Sequence, residues 1–68
     1  MVQFAVTLKD GEWTVFRDGK AIHTGLSRSA AVEMAEDMAY EAEERNETVE
    51  LLIQGYTGDL QRKLSGGE

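Results

Sequence analysis

His23 is the single histidine of the sequence, and histidine is the residue type best suited to moving protons near neutral pH. To act as a base it needs a nucleophile within hydrogen-bond reach and a third group to orient it. The chain has no cysteine, and the hydroxyl of nearby Ser27 stands where a helix needs its N-cap. His23 therefore reads as a structural or exposed side chain. Carboxylates are plentiful, and Glu33 with Asp37, or Glu41 with Glu44, resemble the pairs that divide acid and base roles. Such a division needs environments that set the two groups apart. All four lie on one helical stretch with no cleft in prospect. The glycines are isolated turn residues and form no phosphate-cradling loop. No run of alternating oxygen ligands spans the roughly 12 residues of a calcium loop. Without cysteine, and with one histidine, a zinc site has too few ligands. The expectation is a non-enzyme with no catalytic residues, no cofactor and no metal.

The totals narrow the classes further. Sixty-eight residues make one domain at most, with a thin core, because a chain of about 60 residues buries only about 60% of the surface it exposes when unfolded. Chains this small usually gain stability from a disulfide, a metal or a partner subunit. The first two are disfavoured here, which leaves a well-packed monomer or a homodimer. A formal charge of −6 argues against nucleic acid, whose affinity comes from Lys and Arg neutralising phosphates. It also disfavours an anionic membrane surface. No apolar run reaches the 20 or so residues needed to cross a bilayer, and the first ten residues alternate in polarity without a basic leader. Together with the lack of cysteine, these features predict a cytoplasmic protein.

The elements that must position any surface follow from periodicity. Val2, Phe4, Val6 and Leu8 alternate with Gln3, Ala5 and Thr7, the pattern of a half-buried strand. Asp10-Gly11 supplies a tight hairpin turn. Trp13 to Arg17 forms a second strand, and Asp18-Gly19 repeats the turn before a short third strand from Ala21 to Thr24. Ser27 caps a helix predicted from about Arg28 to Arg45, stopped at Asn46. Its apolar stripe is Ala31, Ala35, Met38 and Ala42, with Met34 and Ala39 beside it. Thr48 to Gln54 returns to alternation, and Leu60 to Leu64 is a candidate short fifth strand after the turn from Gly55 to Asp59. The expected fold class is α+β: an antiparallel β-sheet in the order β-β-β-α-β, with one long helix packed on one face. The domain is expected to span residues 1–64, with a flexible tail over 65–68.

This pattern resembles a small bacterial domain-of-unknown-function family, number 2188. The resemblance rests on Asp-Gly followed by Trp-Thr-Val, on the capped alanine-rich segment SRSAAVEMAEDMA, and on VELLIQGYTGDLQRK. It covers roughly residues 4 to 64 and implies the fold already read from the pattern. The family often has Glu at the third helical position. Here that residue is Ala30, which removes a capping box.

Two surfaces are candidates for binding. Between Met34 and Glu47 the chain carries six carboxylates and one cation, Arg45. Glu33, Asp37, Glu41 and Glu44 are spaced to line one helix face, and like charges four apart cost a helix about 0.2–0.5 kcal/mol per pair. They read as a solvated face or as a surface for a basic protein partner, in the manner of an antitoxin or nucleic-acid mimic. The other surface is the side of the sheet away from the helix. Ala5, Phe16 and Leu52 gather there if the strands pair as expected, with Tyr56 near the rim. An apolar cluster on an uncovered sheet is a site for a protein partner or for a second copy of the chain. The competing arrangement turns Trp13 outward instead.

Overall fold

The computed structural model describes residues 1–55 and the backbone of residues 60–65. Its first elements are set by turn chemistry. Asp10 and Gly11 have φ of 52° and 80°, and Asp18 and Gly19 have 51° and 84°. Two consecutive residues with positive φ make a two-residue turn whose twist matches the flanking strands. Strands β1 (Val2–Lys9), β2 (Glu12–Arg17) and β3 (Lys20–Leu26) therefore follow one another as a meander. The pairs Lys9↔Glu12 and Arg17↔Lys20 close the two hairpins. The second turn is also tied back to β1: the backbone N–H of Gln3 donates to Asp18 Oδ1 at 2.9 Å, and Asp18 N–H donates to the Gln3 carbonyl at 2.7 Å.

Helix α1 (Arg28–Glu44) begins where the Ser27 hydroxyl accepts from the Ala30 N–H at 3.2 Å. It ends at Arg45 and Asn46. The N–H of Asn46 donates to the Glu43 carbonyl and that of Glu47 to the Ala42 carbonyl. This is the Schellman pattern, and Asn46, with φ of 65°, takes the left-handed position usually given to glycine. The helix thus runs over the predicted residues. Strand β4 (Val49–Gln54) follows and pairs with β5 (Leu60–Ser65). The fifth strand forms and includes Ser65; residues 56–59 and 66–68 lie outside the described residues.

The sheet order is β3-β2-β1-β4-β5. Its β1–β2, β2–β3 and β4–β5 pairs are antiparallel, but β1 and β4 are parallel, with Phe4↔Leu51 and Ala5↔Leu52 in register. The sheet is therefore mixed, which corrects the expected antiparallel sheet. The reason is geometric. Two tight turns leave β3 running in the direction of β1. A 17-residue helix is about 25 Å long, close to the length of β3, so it returns the chain to the end at which β3 began. A strand leaving that end runs parallel to β3 and to β1.

The core lies between the helix and one face of the sheet. Phe4, Val6, Trp13, Val15, Val49, Leu51 and Ile53 supply its bulk, and Ala31, Ala35, Ala39 and Ala42 face them from α1. Alanines let the helix axis approach the sheet closely, while Val32, Met34 and Met38 pack half-buried along its flanks. The buried line thus passes through Ala39, with Met38 at its side. Trp13 is 8% exposed and belongs to this core, so the outward aromatic of β2 is Phe16.

Edge strand β3 departs from regular pairing. Between Trp13↔Leu26 and Val15↔His23, Thr14 alone spans Thr24 and Gly25, and Ile22 is extra between Val15↔His23 and Phe16↔Ala21. Gly25 takes a φ of 72° there, the backbone state a bulge glycine supplies. These two irregularities lengthen β3 beyond the predicted Ala21–Thr24.

Candidate functional sites on the helix and on the open sheet face

Helix α1 separates its residues cleanly. With the alanines against the sheet, Glu33, Asp37, Glu41 and Glu44 all lie exposed on the opposite side, joined by exposed Glu36. Sequence reasoning missed one member of this surface. Tyr40 is 63% exposed, and Glu36, Asp37, Glu43 and Glu44 stand four and three residues on either side of it. Helical spacing brings such residues beside one another. An aromatic at the one apolar gap in the acidic stripe was the available signal. At the C-terminal end, Glu43 Oε2 and Glu47 Oε1 are withdrawn from solvent with no hydrogen-bond partner among the described residues. Glu47 also meets Arg45 at 3.4 Å in an exposed ion pair, a contact worth little.

On the other side of the molecule, strand register brings three residues into one row. Ala5 on β1 is the direct partner of Phe16 on β2 and of Leu52 on β4. All three side chains are half-buried and face away from the helix, as alternation from the buried residues Val6, Val15 and Leu51 requires. Ala21 extends the row on β3, and Arg62 takes the neighbouring register position on β5. Tyr56, expected at the rim, lies outside the described residues. Thr14 and Glu50 share this face but are only 3% and 5% exposed. Glu50 Oε1 accepts from Gln3 Nε2 at 2.9 Å across the parallel pair. The apolar row is thus half-buried, and the carboxylate beside it is already engaged.

A third feature joins the helix start to the sheet. The Arg28 guanidinium lies 5.6 Å from the Trp13 ring centroid, and its Nε donates to the Gln54 carbonyl at 3.1 Å. The Gln54 side chain in turn accepts from the Leu8 N–H at 2.9 Å. One arginine therefore clamps β2 and β4 at the mouth of the core, by cation–π attraction and a charge-assisted hydrogen bond.

His23 lies exposed on β3 opposite Val15, and Ser27 is spent on the helix cap. Among the described residues no three of His, Cys, Asp or Glu converge as a metal ligand set. No described helix is long and apolar enough to cross a membrane.

The fold and its surfaces define a class: a small α+β module, one helix across a mixed sheet, with one sheet face that no described helix covers. Residues 4–65 match the family described as "Uncharacterized protein conserved in bacteria (DUF2188)", and the chain belongs to that family. Comparison with curated proteins and with solved structures finds no match.

Proposed function

We propose that the chain is a non-catalytic interaction module that self-associates through its open sheet face. The observation that carries this reading is the row Phe16–Ala5–Leu52, half-buried apolar side chains adjacent in register on the side no described helix covers. A domain this small has little apolar surface to spare for its own core, and covering such a row supplies more. The exposed position of His23 and the engaged Ser27 support the non-catalytic part. The test is a dilution series followed by amide chemical shifts. Shifts that move with concentration at Ala5, Phe16 and Leu52, and stay constant from Glu33 to Glu44, are the expected result. Shifts independent of concentration at the sheet residues contradict it.

A second reading has its own support in Tyr40, an exposed aromatic flanked by carboxylates. In that reading the helix is an acidic binder of a basic protein. Such a partner would be released by salt, because exposed charges are screened beyond about 10 Å at 0.1 M, and lost in Tyr40→Ala.

A further inference from the structure

We infer that the occupant of the open sheet face is a second copy of the chain, packed sheet to sheet, so that the two acidic helices lie on the outermost surfaces of the pair. This rests on the self-association reading and adds the arrangement to it. The first argument is charge. Each copy carries −6, and the helix concentrates it in Glu33, Glu36, Asp37, Glu41 and Glu44, all exposed. The open face carries much less charge among its described strand side chains, where Lys9 and Glu12 offset each other and Glu50 is left. Lys9 and Glu12 are direct cross-strand partners of opposite sign, and Glu50 is buried and hydrogen-bonded to Gln3. A second copy is therefore repelled from the helix side and meets little repulsion at the sheet. With about 10 Å between the sheets and about 10 Å from each sheet to its helix axis, the axes stand about 30 Å apart. That is about three screening lengths at 0.1 M salt, so the acidic helices scarcely repel each other.

The second argument is area. Five strands spaced about 4.8 Å and five or six residues at about 3.3 Å give a face of roughly 450 Å² per copy, or about 900 Å² for the pair. Specific interfaces begin near about 1,000 Å² in total. The face falls just short of that size, which fits a weak, transient pair with a dissociation constant in the micromolar range rather than below it.

The third argument weakens one competitor, edge-to-edge pairing through β3. That strand carries two register irregularities and a positive-φ glycine, devices that spoil an edge as a template for another strand. A two-fold axis lying in the interface about 15° from β1, half the usual crossing angle, sets Ala5 near Ala5 and Phe16 near Leu52 of the other copy. This is an isologous contact that closes on itself, with strand directions about 30° apart.

Because the chain has no cysteine, Asp37→Cys provides a unique attachment point for a nitroxide near the middle of the outer helix face. Pulsed dipolar spectroscopy on the labelled full chain, at a concentration where it associates, should give a distance of about 40–45 Å, the sheet spacing plus both helix layers and labels. The added substitution Leu52→Asp should remove that distance. A distance below about 30 Å overturns the sheet-to-sheet arrangement while self-association stands. Absence of any dipolar signal at every concentration overturns self-association itself.

Discussion

Asn46 shows how much a single residue decides. It holds a φ of 65° and delivers its N–H to the Glu43 carbonyl, which ends the helix and turns the chain into β4. Asparagine, with aspartate, tolerates this state better than other residues bearing a β-carbon, and glycine tolerates it without steric cost. Asn46→Gly is therefore expected to leave stability unchanged or raised, and Asn46→Ala to lower it by about 1 kcal/mol, both read by urea unfolding. Equal losses for the two would show that the asparagine side chain, not its backbone, is what matters. Residues of this kind are legible in the sequence because their reasons are local. Asp10-Gly11, Asp18-Gly19, Ser27 and Asn46 each announce a backbone state within four residues. Arg28 does not. Its place over Trp13 and against Gln54 depends on strands that are distant in sequence, and nothing in the neighbourhood of Arg28 signals it.

Among the elements, α1 is the one whose two sides were both readable. Alanine at the helical period predicts the buried side, and the carboxylates fall on the other. Alternation does not show the parallel pairing of β4 with β1, although its direction follows from lengths: a helix as long as the strand it follows delivers the next strand to the end where that strand began. The choice of neighbour was less accessible. β1 offers a regular ladder, whereas β3 is bulged, and the bulges emerge only from pairing. The cost of the one-signed helix face is open to measurement. Glu41→Lys replaces repulsions with Asp37 and Glu44 by attractions and gives up the pairing with Arg45 four residues on, a net change of about one pair. Unfolding at low salt should gain about 0.5–1 kcal/mol, and the gain should fade in molar salt, where screening acts within about 3 Å. A gain that persists at high salt, or a loss, would mean that Glu41 is held by something other than this pairwise repulsion.

At the scale of the whole molecule, the charge and the open face are separated by the sheet itself. The helix covers one side and carries the exposed acids; the other side presents Phe16, Ala5 and Leu52 around a strand in the middle of the sheet. That division was foreseeable in outline from alternation alone, because register depends on the turns and both turns were legible. The family match over residues 4–65 takes in the helix and most of every strand. Sedimentation equilibrium of the native chain beside Leu52→Asp tests the central claim most directly. The account predicts that the native mass rises from 7.6 kDa towards twice that value across the micromolar range, while Leu52→Asp remains a folded monomer throughout. A native chain that stays at its monomer mass at the highest concentration, or a Leu52→Asp variant that associates as strongly as the native chain, would contradict it.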